Sequence, residues 1–539
     1  MRELTENIQS LFYNPTTDSI APLLHTAQEA HSLILEKTDF AKGTLAPSGI
    51  EKAEAIRKFT IPREGIASED VPQLIADLFY GVSRWHAPRT MYNVAPPPVL
   101  PTVASKMFTS LYNPNLVLDT ASGESNVTEQ KVISAIAKYI GWDAETAGGS
   151  FTFGGKATTI YGVKIGLKKC SPDAAAKGVK DDVVVLSTNS GHPSHISDAG
   201  WTGIGTNNVA RLKTDGEGRI NLEDLEQAII SNVTEGKKIA AIIISGGSTN
   251  NMVVDPIAKV VELRDRLKQE LNMEYAPHIH VDAVVGFPWI FFKDYNFEQN
   301  PLKIGEGALR RIARVVEDLR GLNTADSFGI DFHKMGFCPY VSSLFMVKDK
   351  EHFSGSNDPT TSPFTYTIEN SRSGDGPNSA YVVLNTLGEV GFQSVLAHLT
   401  ETAVDLQDKI EEDDQFEAVN KSGLGSSVMF VPRLPEDVTF ENEADEIAIR
   451  NKYTLYFIEK LTALGNPYYL DKVPGDATGA NPYPYIALKA YIMSPYSSEA
   501  TNQEFVSYMQ VLKQGIDKEF DFSADKDLSH NVEFEHPLK

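Results

Sequence analysis

Cysteine is nearly absent from this chain, which has only Cys170 and Cys338 among its 539 residues. Two cysteines cannot build a disulfide framework or a four-cysteine zinc site, so neither is expected here. Cys338 is expected to be a small buried residue rather than a reactive thiol. This scarcity favours a reducing compartment, and we predict a cytoplasmic protein without a bound metal ion.

Long apolar runs and an excess of positive charge are also missing. No apolar run approaches the roughly 20 residues of a membrane span. The first residues, Met1–Glu6, lack the basic-then-apolar pattern of a signal peptide. The formal net charge of −23 argues against non-specific binding to nucleic acid or to anionic membranes. We therefore predict no nucleic-acid partner and no membrane partner, although a local basic pocket for one phosphate is compatible with this charge.

The chain does have the length and apolar content for a large core. With 539 residues, 41% of them apolar, two or three domains are expected. Residues 1–100 are predicted to be a helical arm that ends in a proline-rich connector, since the prolines at 96–98 and 101 exclude helix interior and central strand. Residues 101–385 are predicted to form a large α/β domain, and residues 386–539 a smaller α+β domain.

The large domain is predicted from alternating short apolar runs and helical patterns. Residues 182–186, 240–244 and 278–282 are typical of strands buried on both faces of a parallel sheet. Helices are expected to begin after Asn126, with Glu129 completing a capping box, and after Asp255, which precedes a proline. This alternation predicts an α/β fold with a mainly parallel sheet flanked by helices. Ligands of such folds bind at the carboxyl ends of the strands.

Lys334 lies beside a buried strand predicted within 341–347. A lysine next to a core strand is costly unless it is paired or covalently used. Burial is expected to lower the pKa of its amine and free it as a nucleophile, as a Schiff-base lysine requires. On this segment alone, a lysine whose charged end reaches solvent is the better interpretation.

A candidate phosphate site is the segment Gly154-Gly155-Lys156, which precedes a helical pattern at Ile160, Val163 and Leu167. Backbone amides at such a helix start bind anions, and glycine lets a phosphate approach closely. Lys156 would add a positive charge. Taken alone, a pair of glycines before a helix is usually only a turn, and Lys156 is equally consistent with a solvated surface lysine.

Three further candidates follow predicted strands. His195 lies after the strand at 182–186, although loop histidines are more often structural than catalytic. Asp282 ends the strand at 278–282, where it could keep a pyridine nitrogen protonated or could cap the next turn. Ser248 and Thr249 bring hydroxyls to the end of the strand at 240–244. A phosphate cradle, an aromatic cover, an acid for a ring nitrogen and a lysine for a carbonyl are together what pyridoxal phosphate needs.

The order of these segments resembles the group II pyridoxal-phosphate-dependent amino-acid decarboxylases over roughly residues 80 to 515. The most specific segments are His280-Val281-Asp282-Ala283 and Asp331-Phe332-His333-Lys334. The resemblance implies the fold type I, aspartate-aminotransferase-like architecture of PLP-dependent transferases. It also implies that Lys334 carries the cofactor as a Schiff base and that His195, in His195-Ile196-Ser197, stacks on the ring and assists the chemistry. The implied cofactor-binding residues are Gly154, Gly155, Lys156, His195, Ser248, Thr249, Asp282, Ala283, His333 and Lys334.

Within this family the nearest likeness is to bacterial tyrosine decarboxylases. It is carried by Trp85-His86, Asn113-Pro114-Asn115, the segment 333–340 and Met493-Ser494-Pro495-Tyr496. The chain departs from the family pattern at Lys156, at the segment 351–364, which offers no clear tyrosine, and at Lys489, where the family has an arginine that can engage the substrate carboxylate. His86 and Lys489 are the predicted substrate-binding residues.

The resemblance implies decarboxylation of an L-amino acid to an amine and carbon dioxide. The substrate side chain is left open between aromatic, from the likeness to tyrosine decarboxylases, and acidic, because Lys156 and Lys489 add positive charge. Two alternatives also stay open: a Cα–Cβ lyase or aldolase of the same fold, and a catalytically altered paralogue. The resemblance further implies a homodimer with shared active sites, in which residues 1–100 help to dimerise and Ser371-Arg372-Ser373-Gly374 reaches the neighbouring site.

Overall fold

The computed structural model of the chain describes residues 6–45, 52–117, 119–355, 363–474 and 485–522. These residues divide into two compact units. The N-terminal unit contains the residues up to 90 together with 459–469, and the main unit contains 91–458 together with the residues from 470 onward.

The N-terminal unit is mainly helical. Its helices α2 and α4 contact each other, with Ala30 and Ala76 buried between turns. The elements up to residue 91 are α1 (Glu6–Gln9), α2 (Ala21–Glu36), α3 (Lys52–Lys58), a 3₁₀ helix (Ser68–Asp70), α4 (Val71–Asp77) and strand β1 (Thr90–Met91).

The main unit contains the other helices and strands. The helices are α5 (Leu100–Tyr112), α6 (Asp119–Ser122), α7 (Glu124–Ile140), α8 (Gly155–Cys170), α9 (Ala174–Lys177), α10 (Ser194–Trp201), α11 (Leu222–Thr234), α12 (Ile257–Glu270), α13 (Glu306–Leu319), α14 (Lys350–Ser354), α15 (Asp375–Glu411), α16 (Glu443–Ala463), which ends in the N-terminal unit, and α17 (Glu499–Glu519). Short 3₁₀ helices lie at Thr206–Asn208, Phe287–Phe292, Arg320–Thr324 and Pro363–Thr365.

The strands form two sheets. In chain order they are β2 (Gly148–Thr152), β3 (Val183–Thr188), β4 (Val209–Leu212), β5 (Lys238–Ser245), β6 (His278–Asp282), β7 (Ser327–Asp331), β8 (Ser343–Val347), β9 (Phe416–Ala418), β10 (Ser427–Pro432), β11 (Tyr469–Pro474) and β12 (Ile486–Tyr491). A seven-stranded sheet has the order β2-β8-β7-β6-β5-β3-β4. Its members β4, β3, β5, β6 and β7 run parallel, whereas β8 pairs antiparallel with both β7 and β2. The predicted α/β fold with a mainly parallel sheet is confirmed.

The carboxyl ends of β6 and β7 are neighbours in this sheet. Asp282 of β6 pairs in register with Gly329 of β7, and β7 ends two residues later at Asp331. Helix α8 packs across β5, β6, β7 and β8. The fold therefore brings Asp282, the segment after Asp331 and the start of α8 to one edge of the sheet.

Two predicted helix starts are wrong, because the capping side chains have other partners. Helix α7 begins at Glu124 after Gly123, so Asn126 lies inside the helix rather than at its cap. Glu129 is buried and accepts from the Arg372 guanidinium, with the nearer Nη1–Oε1 distance 2.6 Å. Arg372 is thus held within its own chain. Helix α12 begins at Ile257, and the buried Asp255 accepts from backbone amides of Ile220 and Ser245 instead of capping it.

The second sheet of the main unit is antiparallel. Strands β11, β12, β10 and β9 pair in that order, and helices α15 and α17 pack together beside them. Lys489 of β12 lies in register with Asp471 of β11 on one side and with Met429 of β10 on the other. Within the described ranges, no helix has both the length and the apolar character needed to cross a membrane.

Candidate active site

Lys334 lies in the turn after β7 and faces a carboxylate of that strand. Its Nζ atom is 3.0 Å from Oδ2 of Asp331, and 21% of its side chain is exposed. Burial lowers the pKa of the Lys334 amine, but the negative charges of Asp331 and Asp282 outweigh burial and raise it. The expectation of a lowered pKa is therefore wrong. The cause is Asp331, three residues earlier on the same turn.

His333 is buried beside Lys334 and is held in a fixed orientation. The backbone amide of Ser342 donates to its Nδ1 atom at 3.2 Å, and its Nε2 atom is 3.5 Å from Oδ2 of Asp331. The ring lies 4.1 Å from the ring of Tyr340, centre to centre. Burial lowers the pKa of His333, which favours the neutral ring. A neutral His333 can offer a hydrogen-bond donor at this edge of the sheet.

The glycine pair forms the start of α8 against the same carboxylate. Gly154 has a φ of 147°, a backbone conformation that favours glycine. A Cβ atom on Gly155 would come within 2.6 Å of Oδ2 of Asp331, so only glycine allows this approach. The amides of the first helical turn have no partners within the helix and bind anions well. The structure thus brings Gly154, Gly155, Asp331 and Lys334 together.

Asp282 ends β6 and is almost buried, with 9% exposure. Its Oδ2 atom lies 2.9 Å from Nε2 of His195, and its Oδ1 atom accepts weakly from the amide of Val284 at 3.4 Å. Burial alone raises the pKa of Asp282, but the hydrogen bond from His195 and the positive charge of Lys334 lower it below its ordinary value. The carboxylate is therefore ionised throughout the neutral range.

His195 is fully buried, with 0% exposure, in the first turn of α10. Its Nδ1 atom lies 2.9 Å from the Ser187 hydroxyl, so both ring nitrogens are engaged by protein groups. This placement holds the His195 ring in the interior beside Asp282.

His192 is the histidine of this segment that is exposed. Its Nδ1 atom is 2.8 Å from the Ser194 hydroxyl, and the ring lies near enough to Asp282 to help lower its pKa. The segment after β3 contains the His-x-Ser pattern twice, once at His192-Pro193-Ser194 and once at His195-Ile196-Ser197. The sequence prediction chose the second and did not consider His192, which is the exposed one of the two.

Lys156 extends from the start of α8 towards α10. Its Nζ atom donates to the Ser197 hydroxyl at 2.6 Å and lies 3.6 Å from Oδ1 of Asp198. Asp198 is fully buried, and neither carboxylate oxygen has a hydrogen-bond partner among the described residues. Burial raises the pKa of Asp198 to about 8 despite Lys156. No sequence pattern indicated this buried acid.

The raised pKa of Asp198 predicts how its replacement depends on pH. When the folded-state pKa of a carboxyl is raised, the unfolded chain ionises at lower pH than the folded protein. The stability of the folded protein therefore falls as pH rises from the unfolded pKa, about 3.9, towards the folded value. Asp198→Asn is therefore expected to raise the melting temperature clearly at pH 8 and little at pH 4. Thermal unfolding at both pH values checks this, and a larger gain at pH 4 would contradict it.

The predicted cofactor residues Ser248, Thr249 and Ala283 lie at the same strand ends. The Ser248 hydroxyl accepts from the amide of Val253 at 3.1 Å, and Thr249 is half-buried. Ala283 is fully buried and packs so closely on Gly246 that a Cβ on that glycine would lie 2.6 Å from its methyl group. Ser248 therefore holds its own loop, and that loop rests on the segment after Asp282.

The two predicted substrate-binding residues lie in different units. His86 belongs to the N-terminal unit. Lys489 belongs to the main unit, is 2% exposed, and pairs with Asp471 at 2.9 Å from Nζ to Oδ2. Its Nζ atom also lies 3.4 Å from Oδ1 of Asn250, in the loop that follows β5.

The ion pair of Lys489 predicts a loss of stability when the lysine is removed. Lys489→Met leaves Asp471 unpaired and is expected to lower the free energy of unfolding by about 2 kcal/mol. This loss is smaller than that expected for breaking a fully buried ion pair, because Asp471 is 23% exposed. Denaturant unfolding measures this, and Asp471→Asn combined with Lys489→Met should recover part of the loss. Unchanged stability with a raised KM would instead indicate direct substrate binding.

The residues at this edge fit pyridoxal phosphate. The start of α8 offers amides and a glycine cradle for a phosphate, Asp282 offers an ionised carboxylate for a ring nitrogen, and Lys334 offers an amine within the same edge. In the described part of the chain, no three His, Cys, Asp or Glu side chains are grouped so as to hold a metal ion.

Comparison with known proteins decides the family. The model of the pyridoxal-dependent decarboxylase conserved domain matches residues 61–290 and 307–431, more than half of the chain. The chain belongs to the pyridoxal-dependent decarboxylase family. This membership confirms the predicted cofactor, pyridoxal 5'-phosphate, and the group of enzymes that the sequence resembles.

Curated relatives are distant in sequence. The L-2,4-diaminobutyrate decarboxylase of Rhizobium meliloti is 25% identical over 50% of this chain and 47% of its own length. An acidic amino acid decarboxylase of Bos taurus is 25% identical over 46% of this chain and 42% of its own length. The chain thus spans about half the length of these relatives. The L-aspartate decarboxylase dtxS4 of Metarhizium robertsii is 23% identical over 67% of this chain and 70% of its own.

Solved structures confirm the predicted fold type I architecture. The glutamate decarboxylase domain of a diaminobutyrate-pyruvate transaminase and L-2,4-diaminobutyrate decarboxylase from Vibrio parahaemolyticus has a TM-score of 0.74 at 17% identity, covering 95% of this chain and 99% of that one. Oryza sativa TDC with PLP and tryptamine has a TM-score of 0.76 at 15% identity, covering 94% and 99%.

Proposed function

We propose that the protein is an amino-acid decarboxylase that releases carbon dioxide from the Cα of an L-amino acid, with its cofactor bound to Lys334. The observation that carries the proposal is the convergence of Lys334, Asp282 and the α8 start at the ends of neighbouring strands. When bound, pyridoxal phosphate supplies an electron sink for the charge left on Cα as the carboxylate departs.

The residues of the chain take separate parts in this proposal. The first turn of α8 and His333 bind the cofactor phosphate, with Gly154 and Gly155 as the cradle. The close approach of Gly155 to Asp331 and the position of His333 beside the same carboxylate support this assignment. Oδ1 of Asp282 holds the proton on the pyridine nitrogen, since Oδ2 is already bonded to His195. Lys334 must give up a proton before its amine can react. Asp331, 3.0 Å from that amine, is the nearest described carboxylate.

We propose that His192, rather than His195, packs on the ring face of the cofactor. His192 is exposed and lies near Asp282, whereas His195 is fully buried beside that carboxylate. Lys156 adds positive charge beside the phosphate, since its backbone lies in the first turn of α8.

For the substrate side chain we propose an aromatic group of the tyrosine type. The sequence likeness to bacterial tyrosine decarboxylases supports it. Lys489, which could attract an acidic side chain, is paired with the Asp471 carboxylate at 2.9 Å, and Lys156 donates to the Ser197 hydroxyl at 2.6 Å. The relatives compared here are named for diaminobutyrate, aspartate and acidic amino acids, so the test must include all of these.

The test is a screen of amino acids labelled at the carboxyl carbon, with the amine product identified by mass spectrometry. Tyrosine, phenylalanine, glutamate, aspartate and diaminobutyrate form the first panel. The proposal expects labelled carbon dioxide and an equal amount of amine from an aromatic substrate. Cleavage that yields glycine or an aldehyde without labelled carbon dioxide would indicate a Cα–Cβ lyase instead, and no reaction with any amino acid would indicate an altered paralogue.

We also propose a cytoplasmic homodimer that shares its active sites. Large apolar side chains are highly exposed in both units, among them Ile61 at 90%, Leu100 at 80% and Trp201 at 76%. Such side chains mark an interface where they form a contiguous patch, and the likeness to the group II decarboxylases is the main support for the dimer. Sedimentation velocity at the concentration of the assay tests the proposal, and a monomer with full activity would contradict it.

Both cysteines are buried and free, which suits a reducing compartment.

A further inference from the structure

A chain of hydrogen bonds leads from the half-buried Arg211 to Asp282. The Nη1 atom of Arg211 donates to the Ser187 hydroxyl at 3.1 Å. That hydroxyl lies 2.9 Å from Nδ1 of His195, and Nε2 of His195 lies 2.9 Å from Oδ2 of Asp282. Ser187 and His195 are both 0% exposed. Water therefore does not compete for these groups.

The direction of the protons follows from the arginine, which can only donate. Arg211 is fixed because its Nη2 atom also donates to the carbonyls of Asn189 and Gly191, at 2.9 and 2.7 Å. Ser187 accepts from Arg211 and so turns its own hydrogen towards Nδ1 of His195. The other acceptor near that hydroxyl, the Thr188 carbonyl, is farther away at 3.5 Å. The proton of His195 then lies on Nε2 and is donated to Asp282.

We propose that His195 is a positioning residue that fixes one oxygen of Asp282 and keeps the carboxylate ionised for the cofactor ring, with Ser187 and Arg211 setting its tautomer. The inference rests on the proposed function, in which Oδ1 of Asp282, which accepts only weakly from the Val284 amide, holds the pyridine nitrogen. A carboxylate bonded on one side in a dry site cannot rotate freely, and a donated hydrogen bond favours its charged form.

Other charged groups also face Asp282 and act in the same sense or against it. Lys334 and His192 favour its ionised form, whereas the buried Asp198 disfavours it. His280 lies two residues earlier on β6. His195 differs from all of these because it is the side chain that the structure records in direct hydrogen-bond contact with the Asp282 carboxylate. Removal of that contact therefore changes both the orientation and the charge of Asp282.

Two substitutions separate the hydrogen bond from the space that the ring fills. His195→Phe keeps a ring of similar shape but has no donor, whereas His195→Gln keeps a donor at the position of Nε2. His195→Phe is expected to weaken cofactor binding and to lower kcat by about tenfold to a hundredfold, the effect of one hydrogen bond to a charged group, with KM changed by less than about threefold. His195→Gln should stay within about threefold of the wild type in both quantities.

The readout that does not depend on activity is the dissociation constant of pyridoxal phosphate, measured by absorbance titration of dialysed full-length protein. Thermal unfolding of the cofactor-free variants shows whether each still folds. If His195→Phe does not fold, Ser187→Ala decides, because it removes the tautomer control and is expected to weaken cofactor binding by about threefold to tenfold. A dissociation constant and kcat equal to the wild type in the deciding variant would overturn the proposal.

Asp282→Asn distinguishes failure of this inference from failure of the proposed function. If Asp282→Asn binds the cofactor as tightly as the wild type, the assigned role of Asp282 is wrong and the inference falls with it. If Asp282→Asn binds weakly but the folded His195→Phe variant matches the wild type, only the inference is wrong.

Discussion

Replacement of Lys334 by alanine is expected to abolish the visible absorption of the bound cofactor and to lower decarboxylation at least about a thousandfold. The amine of Lys334 is the group that is proposed to hold the cofactor, and alanine has no nitrogen to replace it. The measurements are an absorption spectrum of the reconstituted protein and the release of labelled carbon dioxide. Cofactor should still bind weakly through its phosphate, because the start of α8 is unchanged.

A matched control comes from Lys348, an exposed lysine just after β8 whose Nζ atom donates to the carbonyl of Asn323 at 3.1 Å. Lys348→Ala should leave spectrum and rate unchanged. Lys334→Arg adds a second control, because it keeps a positive charge near Asp331 but cannot form the covalent link. Full activity in either Lys334 variant would exclude the assigned role.

Replacement of Asp282 by asparagine is expected to have the second largest effect, a fall in kcat of about a hundredfold to ten-thousandfold with a smaller change in KM. Asparagine has the same shape but no charge, so the pyridine nitrogen loses the partner that keeps it protonated. The pKa of Asp282 lies below its ordinary value, so the wild-type carboxylate stays charged throughout the neutral range. The rate difference between wild type and variant should therefore be constant from pH 6 to pH 8.

A pH series of kcat checks this expectation. Asp282→Glu is the companion variant, since it keeps the charge but displaces the carboxylate by one methylene group from the position that His195 holds. It is expected to retain more activity than Asp282→Asn. An Asp282→Asn variant with wild-type kcat would show that the carboxylate has only the structural role of capping the following turn, which the sequence left open.

The central strands and the segments at their ends were predictable from sequence. The run at 278–282 forms β6 with Asp282 at its end, and Gly155 begins α8 as the glycine pair indicated. These features depend on local signals, namely β-branched apolar runs and the turn preferences of glycine. Local signals are also the reason that the resemblance to the family could be recognised from a few short segments.

The sequence could not predict which charged or hydrogen-bonding groups the fold places beside each site residue. The pKa of Lys334 is raised rather than lowered because Asp331 and Asp282 both lie close to it. Lys489 meets Asp471 only because β11 and β12 pair in that register. His195 is separated from Asp282 by 87 residues, and whether it or His192 faces a ligand depends on the turn of α10.

Reduction of the reconstituted protein with borohydride, followed by peptide mass spectrometry, shows directly whether Lys334 is the lysine that holds the cofactor. Borohydride fixes a cofactor that is linked to a lysine, so the modified residue can be read from the peptide. The cofactor is expected on Lys334, in the peptide that also contains Asp331 and His333. A cofactor fixed on Lys156 or Lys489, or a protein that remains unmodified although it binds the cofactor, would contradict this expectation.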